Sequence, residues 1–369
     1  MIPCAETPIS HKDTKTEGTH FLSVFVPSWR KGKPMKLLKD RDASIRPLDG
    51  RTVAVLGYGN QGRAQALNLR DSGVTVVVGN RDDEYRRQAV ADGFDPMEIP
   101  EAAAAGDFLL ILTTDESQSV IWDDQIAPGI EAGNCLVWAS GYNVGYDLIK
   151  PPHDADVVMV APRMTGNMVR ILYEQGKGAI AQFAVHQDAT GHARERVLAL
   201  CKGIGLTRGG VFESSFREEA ELDLFAEQVV WAGLTAWFTE CFDIGVEHGF
   251  SRELMVMELY ASGEASEILG LMARNGFFKQ MVHHSTTSQY GTLSRGPELI
   301  NDEMRAKARE FLVKDIKGGA FVREWSEEQA AGSERLKELR AKALSHPMSL
   351  AEESVIQMIQ SAHSLDEGN

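Results

Sequence analysis

The chain has 369 residues, 43% hydrophobic and 25% charged, with 34 glycines and 13 prolines, which excludes wholesale disorder and fibrous architecture. Its 38 basic and 53 acidic residues leave a formal charge of −15, so neither nucleic acid nor an anionic membrane is the expected partner. No continuous apolar run approaches the roughly 20 residues of a membrane helix, and residues 21–26 are too short for a leader. Cys4, Cys135, Cys201 and Cys241 lack the paired spacing of a zinc or disulfide framework. A cytoplasmic protein with reduced thiols, acting on a small molecule, is expected.

Residues 1–35 are polar and end in a basic stretch. They read as a loosely ordered extension packing locally through Phe21, Phe25 and Trp29. From Thr52 onward, short β-branched runs recur at 53–56, 74–78, 108–112, 136–138, 157–160 and 180–185. Helical spacing fills 61–72, 83–91 and 191–203. Unbroken apolar strands alternating with helices predict a parallel sheet covered on both faces, an α/β domain over 36–210. Beyond it the pattern is helical, at 217–248, 253–275, 296–315, 327–344 and 350–362, so 211–369 reads as an all-α domain. Ser326 with Gln329 and Ser349 with Glu352 look like capping boxes that start the last two helices.

The sequence Val53-Ala-Val-Leu-Gly57-Tyr58-Gly59-Asn60-Gln61-Gly62 follows a strand and opens a helix. There Gly57 permits the tight turn, Gly59 lets the backbone approach a pyrophosphate, and Gly62 lets the helix pack on the sheet. The helix N-terminus then favours the anion, so a dinucleotide is the expected cofactor. After the second strand, Arg81 suits a 2′-phosphate, with Arg86 and Arg87 nearby, while Asp82, Asp83 and Glu84 suit a free ribose. The balance leans slightly to NADPH over NADH. In the helical half, Asp223 and Glu227 are four apart and share a helix face, on a helix whose apolar continuation predicts burial. Two readings stay open: a magnesium pair, or a solvated acidic turn.

Together with Gln289-Tyr-Gly and Phe216-Arg-Glu-Glu-Ala-Glu-Leu-Asp-Leu-Phe-Ala-Glu-Gln, these motifs make residues 35–362 resemble ketol-acid reductoisomerase in its short form. The resemblance implies a Rossmann-type first domain and a knotted, 6-phosphogluconate-dehydrogenase-like helical second domain. It also implies sites completed between subunits of a homodimer or larger assembly. The cofactor positions it carries over are Gly57 to Gly62, Arg81, Asp115, Gln118 and Gly166. Asp223 and Glu227 match metal ligands, and Ser285 matches a substrate serine. Four positions depart: Ser140 replaces a histidine, Arg163 a lysine and Gln289 a glutamate. The family's second glutamate pair falls on Tyr260 and Glu264 with one residue inserted nearby, and both of its acids are missing without that insertion.

The family reaction couples a magnesium-dependent alkyl shift to a hydride transfer. The shift needs ions that polarise adjacent oxygens, whereas hydride transfer depends mainly on cofactor geometry. The expected function is therefore an NAD(P)H-dependent reductase of a small C=N or C=O compound, its isomerase step lost and its magnesium doubtful. In that scheme Ser140, Arg163 or Tyr260 orients or protonates substrate, and Asp223 and Glu227 face a cationic centre. The alternatives are an authentic ketol-acid reductoisomerase and a non-catalytic nucleotide-binding paralogue. Blander roles suit His186 (core), His283 and His284 (partly solvated), and Met255, Met257, Met272 and Met281 (packing).

Overall fold

The structure, a computed structural model, describes residues 35–366. The chain divides into two units, Met1–Lys36 and Leu37–Asn369, and the second is described below. The expected packing of Phe21, Phe25 and Trp29 lies outside the described residues.

Seven strands form one sheet: β1 (Thr52–Leu56), β2 (Thr75–Gly79), β3 (Phe108–Ile111), β4 (Cys135–Trp138), β5 (Asp156–Pro162), β6 (Ala181–Gln187) and β7 (Val211–Glu213). Their order is β2-β1-β3-β4-β5-β6-β7. Helices α1 (Asn60–Asp71), α2 (Glu84–Ala91), α3 (Ile99–Ala105) and α4 (Asp115–Ile121) link the first strands. They are followed by the short α5 (Tyr142–Gly145), then α6 (Gly166–Glu174), α7 (Ala193–Gly203) and α8 (Leu206–Gly209). Apolar side chains of β1 alternate between two cores. Val53 and Val55 join Leu69, Val197 and Leu200 on one face, and Ala54 and Leu56 join Ile99 and Trp138 on the other. Burial of both faces is what the unbroken apolar runs record.

Two features of the sheet correct the sequence reading. Strands β1 to β5 are mutually parallel, but β6 runs antiparallel to β5. Here α6 packs along α1 instead of carrying the chain back across the sheet, so β6 re-enters from the edge where β5 ended. An apolar run encodes burial and carries no direction. In addition, β7 lies in the stretch read as wholly helical and pairs with β6 and with Leu38.

The rest is helical: α9 (Phe216–Phe225), α10 (Ala232–Glu247), α11 (Arg252–Val256), α12 (Glu264–Asn275), α13 (Thr286–Leu299), α14 (Asp302–Glu310), α15 (Ala320–Ala330), α16 (Glu334–Leu344) and α17 (Pro347–Asp366). A π-helical turn, Ala226–Trp231, joins α9 to α10 into one 32-residue helix. By length and composition alone this helix is long and apolar enough to cross a membrane, although it contains no unbroken apolar run of that length. Expected burial of the helix is not met within one chain: Val230, Trp231, Trp237 and Ile244 are all exposed.

Both capping-box assignments fail. Ser326 sits inside α15 with its hydroxyl on the Val322 carbonyl, and Ser349 lies inside α17. The break between α15 and α16 falls instead at Gly332, whose φ of +86° lies in the left-handed region that glycine tolerates. A further break at Gly263, φ +89°, divides the helix expected over 253–275.

Close packing of α1 on β1 depends on Gly62, where a Cβ would lie 1.9 Å from the Gly57 carbonyl oxygen. Gly62→Ala is expected to cost ~1–3 kcal/mol through backbone displacement, measured by urea unfolding of the two proteins side by side.

Candidate active site

At the carboxyl ends of β1, β2 and β3, where the strand order reverses, a cleft of about 330 Å³ opens between Gly57, Gly59, Asn80, Arg81, Thr113 and Ser117. Gly57 has φ +98°, as the tight turn requires. A Cβ on Gly59 would meet nothing within 4 Å, so its backbone faces open space. The Thr113 hydroxyl is buried without a partner, an orphan that a ligand in the cleft would satisfy. Helix α1 begins at Asn60, and Gly166 packs so tightly against it that a Cβ there would lie 1.8 Å from the Asn60 carbonyl oxygen. Unpaired N–H groups at the start of α1 and an orphaned hydroxyl across the cleft fit a dinucleotide.

Not every expected cofactor residue presents its side chain here. The Tyr58 ring is fully buried, its hydroxyl donating to Asp92 at 3.0 Å, so only its backbone borders the cleft. Gln61 donates to the Met164 carbonyl at 2.9 Å. Gln118 is a buried brace. It donates to the Thr113 carbonyl at 2.9 Å and accepts from Trp138 Nε1 at 3.0 Å and Asn143 Nδ2 at 2.9 Å. Arg81 pairs with Asp83 at 2.7 Å, and Asp83 also caps α2. Arg86 is held by Glu98 and by the Asn80 and Pro96 carbonyls. The arginine cluster near the second strand is thus largely engaged within the protein.

Beyond the cleft, one guanidinium holds two acids, and two further acids lie near them. Arg163, just past β5, pairs with Glu219 at 2.6 Å and with Asp223. Glu219 is 1% exposed and also accepts from the Gly141 N–H at 2.7 Å. Burial pushes its carboxyl up to about 7 against the pull of that amide. Burial opposes the Arg163 charge, but Asp223 and Glu219 outweigh it and hold the pKa above its usual value. Burial, then Asp223, raises Glu227, whose side chain makes no hydrogen bond or ion pair among the described residues. Asp115 accepts a hydrogen bond from the Ser140 side chain. Burial first, then Glu116, Asp223 and Glu227, push it up to about 6. Ser140 Oγ in turn accepts from the Tyr142 N–H at 3.2 Å.

Glu219 is absent from the sequence-based site. Its signal was there to read: it precedes Asp223 by four residues, as Asp223 precedes Glu227, so all three share one helix face.

Tyr260, Glu264 and Ser285 do not join this cluster within the chain. Tyr260 bonds through its hydroxyl to Glu352 and stacks on Phe238 at 6.2 Å, beside the Phe242–Val256–Val355 core. Glu264 is exposed beyond the Gly263 break, so it shares no continuous helix face with Tyr260. Ser285 caps α13, accepting from the Ser288 N–H at 3.2 Å. His284 bonds to Gln280, and Gln289 donates to the His284 carbonyl. His186, expected in the core, is exposed at the end of β6 with its ring 5.5 Å from Phe216. Met255 and Met257 pack against the Val256 cluster.

These donors do not fit a divalent ion. Magnesium wants near-octahedral oxygens at about 2.1 Å. Here Glu219 and Asp223 already bind a cation of the protein, and no group of three or more His, Cys, Asp or Glu among the described residues is arranged to hold a metal.

The family described as "Acetohydroxy acid isomeroreductase, NADPH-binding domain" matches residues 47–210, and "Ketol-acid reductoisomerase, C-terminal domain" matches 216–361. A protein of Pyrobaculum islandicum named ketol-acid reductoisomerase (NADP(+)) is 43% identical over 317 residues, 85% of this chain and 95% of its own. A Saccharolobus solfataricus protein named putative ketol-acid reductoisomerase 3 is 43% identical over 86% of this chain and 97% of its own. The solved structure of an NADH-preferring ketol-acid reductoisomerase from an uncultured archean superposes with a TM-score of 0.84 at 35% identity, covering 88% of this chain and 99% of that one.

Two measurements probe the site. Gly59→Ala is expected to leave the thermal midpoint unchanged and to weaken NADPH binding by ~10-fold or more (~1.4 kcal/mol), read by nucleotide fluorescence titration. A buried acid whose pKa is raised on folding stabilises most below its unfolded value, and that stability is lost as pH rises through the folded value. The stability difference between the native protein and Glu219→Gln should therefore fall as pH rises from about 4.5 through about 7. A difference that stays flat across that window would refute the assigned shift.

Proposed function

The chain belongs to the ketol-acid reductoisomerase family, and from that premise we propose that this NAD(P)H-dependent oxidoreductase performs the reduction without the alkyl shift. Its substrate is a small metabolite bearing a C=N or C=O bond. The observation that supports this reading is the Glu219–Arg163–Asp223 clamp, in which a guanidinium engages carboxylate oxygens that a metal-dependent alkyl shift would need free. NADPH is the proposed cofactor, supported by the NADPH-binding family over 47–210 and by the accessible Arg81. When bound, it supplies a hydride to the carbon of the C=N or C=O bond. Arg163 and the unpaired Glu227 orient the substrate, and Glu227 faces a cationic centre if the substrate is an iminium. A ketone also needs a proton at oxygen. Ser140 donates it, replenished from Asp115, whose pKa near 6 keeps part of the population protonated near neutral pH.

A second reading, the complete family reaction, is favoured by the 43% identity that spans nearly the whole length of relatives named for it. Assembly of two or more copies is proposed as well. The exposed Trp231, Trp237 and Ile244 need a cover, and Tyr260 and Ser285 sit apart from Asp223 within one chain.

Cofactor oxidation is to be followed with 2-acetolactate, a 2-keto acid and a cyclic imine, each with NADPH and NADH. Turnover of the imine or keto acid with acetolactate inert is expected; efficient acetolactate turnover to the dihydroxy acid would establish the second reading. Ser140→Ala should slow ketone reduction by roughly 100-fold and imine reduction far less, because an iminium already carries its proton.

A further inference from the structure

Two acids of this site, Glu219 and Asp223, are held by a positive charge the chain carries itself. Glu219, Asp223 and Glu227 follow one another at four-residue spacing, and Asp115 adds a fourth carboxyl from the start of α4. Glu219 is too buried to keep an unpaired charge cheaply, and its partners are the Gly141 amide and Arg163. Asp223 takes the other arm of the same guanidinium. The side chain of Arg163 is one-third exposed, so its outer edge remains open to the site.

We infer that Arg163 is a tethered replacement for a divalent ion: it closes the acidic face of α9 to magnesium, and its presence is what keeps that face closed. The reason is electrostatic and geometric together. A carboxylate oxygen turned toward a guanidinium in a charge-assisted hydrogen bond is not turned toward an octahedral ion, and a second cation a few ångströms away is repelled. Unlike lysine, arginine cannot shed its proton to make room. Removing Arg163 would free the carboxyls of Glu219 and Asp223 beside Glu227 and Asp115, oxygens of the kind hard cations prefer once these side chains can turn toward an ion. Divalent-ion affinity in this chain is therefore latent, masked by one side chain. The inference rests on the reading of this face as the reacting face, but its test reads binding instead of turnover.

Mg²⁺ and Mn²⁺ are titrated by calorimetry into the full native chain, into Arg163→Ala and into Arg163→Lys, and the thermal midpoint of each is followed in parallel. The native protein is expected to give no saturable heat and no shift up to about 10 mM ion, well above the range of ordinary enzyme metal sites. Arg163→Ala should bind Mn²⁺ at least ~10-fold more tightly than the native chain and gain thermal stability on binding. Arg163→Lys, whose single ammonium cannot hold both Glu219 and Asp223 and can shed its proton, should bind Mn²⁺ more tightly than native and less tightly than Arg163→Ala. If Arg163→Ala does not fold, recovery of its folded signal on adding Mn²⁺ supports the inference. The double variant Arg163→Ala/Glu219→Gln, which removes the most buried acid and keeps Asp223 and Glu227, then carries the comparison. Saturable sub-millimolar Mg²⁺ binding by the native chain overturns the inference. So does an Arg163→Ala or double variant that folds yet binds no more tightly than native. A native protein that excludes both ions and still converts 2-acetolactate would sink the proposed function and leave this inference standing.

Discussion

The carboxyl group of Glu219 ties three elements that are far apart in sequence. It takes the amide of Gly141 after β4 and the guanidinium of Arg163 after β5, while itself sitting on the first turns of α9. The backbone contact beneath it is equally close, since a Cβ on Gly141 would lie 1.9 Å from the Phe216 carbonyl oxygen. An acid buried to that degree is costly unless every lone pair has a partner, so the loops after β4 and β5 must arrive at α9 together. The positions of Ser140 and Arg163 are consequences of that requirement. So is the way Asp223 is held.

From this junction the site extends in two directions. Toward the sheet, Ser140 and Asp115 connect to the Gln118–Asn143–Trp138 network, which braces the loop beyond β3 where the dinucleotide cleft begins. Toward the helices, the face continues to Glu227 and then into the long exposed run of α10. The cleft and the acids are therefore parts of one connected structure, joined through buried hydrogen bonds that lose strength together if one member is removed. The glycine-rich cleft lies at one end of this structure, and at the other Arg163 is held between Glu219 and Asp223.

The Rossmann half was largely legible because its signals are local. Glycines at 57, 59 and 62 each meet a different steric demand within a dozen residues, and apolar runs mark strands buried on both faces. Helix ends were harder. Ser326 and Ser349 carry the right letters for capping, yet the breaks fall at Gly332 and near Pro347, where the chain has to turn to pack. The direction of β6 was illegible for a different reason: it depends on where α6 lies against α1, a contact between residues about 100 positions apart.

For the site, the sequence by itself determined which chemical groups are available: a glycine-rich turn, three acids at four-residue spacing, and an arginine where the related family has a lysine. It also determined the family, because those letters recur in order along nearly the whole chain. Only the tertiary structure decided how these groups are used. It withdrew Tyr58 and Gln118 into supporting roles, joined Tyr260 to Glu352 away from the acids, and brought in Glu219. Spacing specifies which side chains share a helix face. Whether a charge on that face meets solvent, a metal or another side chain depends on what the rest of the fold brings against it, and here the end of β5 brings Arg163.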